Sequence, residues 1–226
     1  MARKLEHDLS DLKDRVLGMG SLVEDAIRKS IKALVERERD LALAVIDGDH
    51  VINTYDVEIE EECIRLLAIW QPTGSNLRFI TTAIKIITDL ERMGDMAVDI
   101  CERAVELMEE PQLKPYIDIP RMAEASQKML KDSLDAFVDK DADLALKVCA
   151  ADDFVDNLNH QIFNELLVYM LQDPKNISRA VRLTYITKYL ERIADHATNI
   201  AEMVVYMVKG KVIRHMACET GETEEK

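Results

Sequence analysis

Carboxylate side chains recur at intervals of four residues in one segment of the chain. Glu91, Asp95 and Asp99 occupy positions i, i+4 and i+8. At about 100° per residue, these side chains drift only about 80° around a helix axis, so they form one acidic row. Like charges four residues apart repel each other by about 0.2–0.5 kcal/mol. Such a row is typical of carboxylates that pair with bases or gather around a cation.

A second row of oxygen-bearing side chains lies in the preceding segment. Asp49, Asn53, Asp56 and Glu60 fall within a helical sector of about 60°, beside apolar positions. If the two segments pack side by side, the rows meet at the edge of the core. Clustered carboxylate and amide oxygens suit hard divalent cations, and carboxylate-rich sites also bind iron. The spacing predicts a metal site, with salt bridges to Arg92 as the alternative.

The chain repeats itself at an interval of about one hundred residues. The segments 90–100 and 190–200 are identical at six of eleven positions, and Asp-Leu-Ala-Leu occurs at 40–43 and again at 143–146. Both rows recur in the second copy, where Phe163 replaces Glu60. Because duplication favours a shared role, we predict a set of metal ligands in both copies. They are Asp49, Asn53, Asp56, Glu91, Asp95 and Asp99, and then Asp152, Asp156, Glu191, Asp195 and Asn199.

Four further residues near the rows have two interpretations each. Gly94 and its counterpart Ala194 are small, which indicates the close approach either of a ligand or of a neighbouring helix. His160 and His196 adjoin the second pair of rows. Each histidine is either a nitrogen ligand or an ordinary packed or solvated side chain.

Helix breakers are few, and they divide the chain into long helical segments. Between them, apolar residues recur three or four apart, and strand-like alternation is absent. The pattern predicts an all-α protein of two tandem, pseudo-symmetric three-helix bundles, at 1–112 and 113–216, followed by a disordered acidic tail at 217–226. The predicted helices are approximately 8–38, 40–70, 76–108, 118–140, 142–172 and 176–209.

Composition limits the classes of protein that this sequence encodes. Of its 226 residues, 48% are hydrophobic and 32% charged, which is typical of a globular protein. No apolar stretch approaches the roughly 18 residues that cross a bilayer, and the N-terminus lacks the apolar core of a signal peptide. We therefore expect a cytoplasmic protein whose four cysteines are mostly reduced core thiols: Cys63, Cys101, Cys149 and Cys218.

Charge and missing motifs argue against two kinds of function. The formal net charge of −14 argues against nucleic acid as a partner, because phosphates repel an acidic surface. The sequence has no glycine-rich nucleotide motif and no di-iron Glu-x-x-His motif. No Ser–His–Asp or Cys–His set occurs at credible spacing. We therefore expect a binding protein, not an enzyme.

These motifs resemble those of the PhoU family, regulators of phosphate uptake found beside Pst-type phosphate transporters. The resemblance covers nearly the whole chain. It rests on the segments 49–56 and 71–78, on the end segment 206–215, and on Leu-Glu-Arg-x-[Gly/Ala]-Asp at 90–95 and 190–195. It implies two pseudo-symmetric three-helix bundles, often dimeric, whose E(D)-x-x-x-D motifs hold multinuclear iron or other divalent metals in some members. Asn53, Asn199 and Ala194 depart from the family pattern, which implies weaker metal binding, or none, in the second cluster.

The resemblance also implies a role and its partners. The protein would couple the cytosolic ATPase subunit of a phosphate ABC transporter to a membrane sensor histidine kinase. As a homodimer in peripheral contact with these membrane complexes, it would repress the phosphate-starvation response and restrain uptake. Two alternatives stay open. One is a metal-storing or metal-dependent hydrolytic helical protein, and the other is a metal-free dimer scaffold whose acids pair with Arg92 and Arg192.

Overall fold

Six α-helices make up most of the chain in the computed structural model, which describes residues 2–210. A short 3₁₀-helix, Pro174–Asn176, precedes the last of them. The prediction of an all-α protein built from two three-helix bundles is confirmed. Cys218 and the predicted tail at 217–226 lie outside the described residues. The helices are α1 (Ala2–Glu36), α2 (Arg39–Trp70), α3 (Gly74–Met108), α4 (Asp118–Asp139), α5 (Ala142–Gln172) and α6 (Ile177–Lys209).

The helix ends agree with the sequence pattern except at the start of the chain. α1 begins at Ala2, so the predicted start at residue 8 was wrong. The intervening residues include Arg, Lys, Leu and Glu, which favour helices, and no glycine or proline interrupts them. None of the helices within residues 2–210 is long and apolar enough to span a lipid bilayer.

The turn between α1 and α2 is hydrogen-bonded to the C-terminal end of α3. Arg37 has a φ of 56°, a left-handed conformation that is uncommon for a residue with a side chain. Its guanidinium donates hydrogen bonds to the carbonyl oxygens of Met108 at 2.8 Å and Glu110 at 2.7 Å. Because the last carbonyls of a helix have no partner within it, this cation caps α3.

The two bundles share one continuous hydrophobic core, in which α3 packs against α6. These central helices run antiparallel. Arg78 Nε donates to the carbonyl oxygen of Met207 at 3.0 Å near one end, and Arg182 Nε donates to Glu106 Oε2 at 2.7 Å near the other. Phe79 also stacks on the ring of Phe137 of the other bundle, with centroids 5.0 Å apart. The repeats are therefore joined by packing as well as by the chain.

The cysteines for which a structure is described follow the prediction in part. Cys63 and Cys101 are buried free thiols, and burial raises the pKa of each to about 12. Cys149 is half-buried. The prediction of core thiols is confirmed for the first two residues.

Candidate metal centres

The first group of carboxylates forms where α2 passes close to α3. A Cβ atom placed on Gly94 would lie 3.2 Å from Ile52 Cδ1 and 3.5 Å from Asp49 Oδ1. A glycine inside a helix costs about 1 kcal/mol relative to alanine, but here it allows the neighbouring helix to approach. The close approach brings the carboxylate of Asp49 from α2 against the backbone of α3.

Asp49 is a half-buried acid of this group, which we call the first cluster (Asp49, Asp56, Glu91 and Asp95). Its Oδ2 accepts a hydrogen bond from Asn53 Nδ2 at 2.7 Å. Its Oδ1 is buried and has no hydrogen-bond partner among the described residues. Burial raises the pKa of Asp49, the Asn53 hydrogen bond lowers it, and the charge of Asp95 raises it again. The carboxylate therefore has one oxygen available for a further ligand.

Glu91 is the residue whose pKa responds to all the other acids of the first cluster. Burial raises the pKa of Glu91, and the charges of Asp95, Asp56 and Asp49 raise it further, whereas Arg92 lowers it. Burial raises the pKa of Asp56 as well. Four acids from two helices are thus close enough for their charges to interact, as the spacing predicted.

Arg92 supplies the salt bridges that the sequence offered as the alternative to metal. Its guanidinium lies 3.4 Å from the carboxylate of Glu91 and 3.3 Å from that of Asp95. The arginine side chain is 57% exposed, so water screens both contacts. One cation therefore faces several carboxylates, and it leaves the buried Asp49 oxygen without a partner.

Asp99 is set apart from the predicted ligands of α2. Burial raises its pKa, and the charges that act on it belong to Glu102, Arg103, Asp95 and Arg192. All four residues are on α3 or α6, and none is on α2. The drift of the acidic row around the helix turns Asp99 away from Asp49 and toward the other repeat.

The second cluster (Asp152, Asp156, Glu191 and Asp195) forms between α5 and α6. Burial raises the pKa of Asp152 to about 6, and the charges of Asp195, Asp156, Asp153 and Glu191 contribute to the rise. Burial also raises the pKa of Asp195, as does the charge of Glu191. Among the residues of this half that the structure describes, Asp152 Oδ1 is buried without a hydrogen-bond partner. It is the counterpart of Asp49 Oδ1.

The two clusters differ in their bases and in their outer residues. Glu191 forms an ion pair with Lys188, not with Arg192. Asn199, the counterpart of Asp99, is exposed one turn beyond Asp195. The second cluster therefore keeps the inner carboxylates but lacks an acid at the position facing the other repeat.

The histidines near the second cluster bond elsewhere. His196 Nδ1 lies 2.7 Å from Asp89 Oδ1, so this ring links α6 to α3. His160 is exposed, and its Nδ1 lies 2.9 Å from the carbonyl oxygen of Asp156. Sequence reasoning missed Asp89 because it belongs to neither row and its counterpart in the repeat is Tyr189.

The donor groups suit a hard cation, although they are not already folded around one. Within residues 2–210, no three Asp, Glu, His or Cys side chains are placed as a ready set of metal ligands. The buried Oδ1 atoms of Asp49 and Asp152 fit a cation nonetheless, because each is a desolvated carboxylate oxygen next to other acids.

The PhoU domain family model matches residues 16–104 and 119–204. A phosphate-specific transport system accessory protein PhoU homolog from Aquifex aeolicus is 46% identical over 212 residues, an alignment covering 94% of this chain and 96% of that protein. The crystal structure of PhoU from Pseudomonas aeruginosa superposes with a TM-score of 0.87 at 40% identity, covering 91% of this chain and 99% of the other. The phosphate transport system regulatory protein PhoU from Streptococcus pneumoniae gives a TM-score of 0.86 at 33% identity, with coverages of 92% and 98%. The chain therefore belongs to the PhoU family.

Proposed function

We propose that this chain regulates phosphate transport by coupling a Pst-type phosphate ABC transporter to a sensor histidine kinase. The observation that carries the proposal is the similarity of nearly the whole chain to proteins named as accessory or regulatory parts of the phosphate transport system. Both repeats take part in that similarity. The protein acts in the cytoplasm by binding, not by catalysis, and as a homodimer.

The mechanism is a shift of populations between states of the partner proteins. A regulator changes the kinase only if it binds one kinase state more tightly than the other. When phosphate is plentiful, the protein contacts the cytosolic ATPase subunit and favours the phosphatase-competent state of the kinase. The starvation response then stays off and uptake is restrained. The shared core of the two bundles supports this role, because it holds the docking faces in a fixed relation.

Each cluster supplies the ligands for a cation in this proposal. Asp49, Glu91 and Asp95 would hold it in the first repeat, and Asp152, Glu191 and Asp195 in the second. A divalent metal or iron supplies positive charge that offsets the repulsion among these acids and ties neighbouring helices together. The second cluster binds more weakly, as its departures from the family pattern at Ala194 and Asn199 imply.

Removing the gene tests the regulatory role. In high phosphate, the deletion strain should express phosphate-starvation genes and take up phosphate faster than the parent, and the full-length chain supplied in trans should reverse both effects. Affinity purification from phosphate-replete and starved cells should recover transporter and kinase subunits in amounts that depend on phosphate. Unchanged starvation-gene expression in the deletion strain would contradict the role.

A metal-free dimer scaffold is the second candidate, and the contacts of Arg92 with Glu91 and Asp95 favour it. In such a scaffold, arginine alone would balance the acids. Protein purified without chelator would then contain no bound metal, and Arg92→Ala would destabilise the first repeat more than the loss of any carboxylate.

A further inference from the structure

Six apolar side chains are exposed together on the outer face of the second repeat. Leu171 is 85% exposed and Tyr185 is 53% exposed, and the other four are between 37% and 46% exposed. Apolar groups exposed in one contiguous patch mark interaction surfaces more often than scattered ones do. We call this set the apolar ladder: Phe163, Leu167 and Leu171 on α5, with Ile177, Val181 and Tyr185 on α6.

The ladder follows from the antiparallel pairing of α5 and α6. On each helix the three residues are four apart, so they lie along one side of it. Residues equally distant from the connecting turn lie level with each other, which places Leu167 level with Val181. Successive rungs are about 6 Å apart, and the three rungs extend about 12 Å along the groove between the helices.

The first repeat shows that the fold does not require these side chains to be apolar. Its equivalent positions are Glu60, Ile64 and Ala68 on α2, with Leu77, Thr81 and Lys85 on α3. The rung farthest from the turn is thus a pair of opposite charges, and the middle rung contains a threonine. The same three-helix scaffold folds with polar groups at three of these six sites, so a contact outside the repeat explains the wholly apolar set better than stability does.

Beyond the ladder, the groove between the two helices becomes acidic, with half-buried Asp152, Asp156 and Glu191 and exposed Asp195. Asp156 and Asp152 follow Phe163 along α5 at about 10 Å and about 16 Å toward its N-terminus, on the same side of the helix. Glu191 and Asp195 lie beside them on α6, and the four acids outnumber the two bases there, Lys188 and Arg192.

We infer that the apolar ladder docks an amphipathic helix of a partner protein, whose apolar residues recur three or four apart and whose Lys or Arg residues follow two to three turns farther on. The occupant is a helix because the groove between two helices accepts a third helix. α4 packs against α5 and α6 in this manner on their opposite side. The basic end of the partner helix lies against the second cluster when that weaker site holds no cation, and the charges are then complementary. The inference rests on the proposed function, because this is a surface on which a regulator meets a signalling partner.

Site-specific photo-crosslinking in living cells tests the inference with the full-length chain. With Leu167→p-benzoylphenylalanine, mass spectrometry should identify a crosslinked segment of another protein that has the stated apolar and basic pattern. The matched control is the same replacement at Ile64, the equivalent position of the first repeat, which should not yield this product. Phe163→Glu with Tyr185→Lys introduces the first repeat's charge pair, and it should lower the yield at least tenfold while leaving the thermal unfolding temperature nearly unchanged.

Several outcomes would overturn the inference. They are a crosslink to a second copy of this chain or to lipid, no crosslinked protein at all, or a yield that the double substitution does not change. The deletion strain separates this result from the fate of the proposed function. If deletion derepresses starvation genes and the double variant restores repression fully, the regulatory role stands and the ladder is not its docking surface. If deletion changes nothing, the regulatory role fails, and the crosslink alone decides whether the ladder binds a helix.

Discussion

Asp49 Oδ1 and Asp152 Oδ1 occupy equivalent points of the two repeats, and both are buried oxygens without a hydrogen-bond partner in the range 2–210. An unsatisfied buried carboxylate oxygen is costly, so its retention in both copies calls for a reason. The positions are 103 residues apart, the same interval that separates the two Asp-Leu-Ala-Leu segments. The shared geometry identifies these two aspartates as the residues on which cation binding is most directly tested.

Replacing Asp152 by asparagine should stabilise the metal-free protein at neutral pH. Because the pKa of Asp152 is raised from 3.8 to about 6, the unfolded chain ionises more readily than the folded one between these values. The free energy of unfolding of the parent therefore falls as pH rises from about 4 to about 6. An asparagine side chain cannot ionise. Asp152→Asn should therefore raise the free energy of unfolding by about 1 kcal/mol at pH 7.5, allowing for solvent screening, and should leave it unchanged below pH 4.

Urea unfolding in EDTA at several pH values measures this effect. The control is Glu124→Gln, which removes an exposed carboxylate of α4 and should leave the difference near zero at every pH. A loss of stability in Asp152→Asn at pH 7.5, or a gain that does not depend on pH, would show that the burial of Asp152 and the repulsion from its neighbouring carboxylates do not weaken the second cluster.

Substitutions at Gly94 should reveal how tightly α2 is packed on α3. Alanine has the higher helix propensity, but its Cβ would lie 3.2 Å and 3.3 Å from two carbons of the buried Ile52 side chain. Gly94→Ala should therefore lower the free energy of unfolding by about 1 kcal/mol. Ile52→Val removes one of the two contacting carbons. It should therefore lower the free energy of unfolding by less in the Gly94→Ala background than in the parent. Additive effects in this double-mutant cycle would mean that contact with Ile52 does not determine the need for glycine.

The pair formed by His196 and Asp89 should contribute to the stability of the joint between the repeats. Both side chains are largely buried, and the hydrogen bond between them is 2.7 Å long. Removing one member leaves the other unpaired, so His196→Ala and Asp89→Ala should each lower the free energy of unfolding by about 1–2 kcal/mol. The double variant should lose about as much as either single variant. Chemical denaturation measures these values, and His160→Ala is the exposed-histidine control. Fully additive losses would show that the two residues act independently.

Arg37 should be needed for the turn that closes the first hairpin. Arg37→Ala keeps a side chain at a φ of 56° and loses the hydrogen bonds to Met108 and Glu110. We therefore expect the free energy of unfolding to fall by about 2 kcal/mol. Arg37→Gly relieves the backbone and should lose about 1 kcal/mol less. Equal losses in the two variants would show that the left-handed backbone carries no cost here.

Helical periodicity and the internal repeat sufficed to predict the fold and the grouping of the inner carboxylates. Long amphipathic segments and few breakers leave little freedom in the helix boundaries, as the agreement of α5 with its predicted range illustrates. The meeting of Asp49 with Glu91 follows from two rows that border apolar faces. The early start of α1 was missed because a charged N-terminal segment has too few apolar residues to show periodicity.

Contacts between the repeats could not be predicted in this way. Asp99 faces Arg192, and His196 faces Asp89, because α3 and α6 pack antiparallel at the centre. Periodicity gives the face of a helix on which a residue lies, but it does not give the neighbour that covers this face. The relation between the two central helices is tertiary information, and a duplicated sequence contains no direct pattern for it.

Titration of the metal-free full-length protein with Mn²⁺, followed by calorimetry and by electron paramagnetic resonance, tests the cation sites most directly. The expected result is saturable binding at the first repeat and weaker binding at the second, with Asp49→Asn abolishing the former and Asp152→Asn the latter. Asp99→Asn should bind as the parent does, because Asp99 faces α6. Absence of saturable binding, or binding that survives the double variant Asp49→Asn with Asp152→Asn, would contradict the assignment of the two clusters as cation sites.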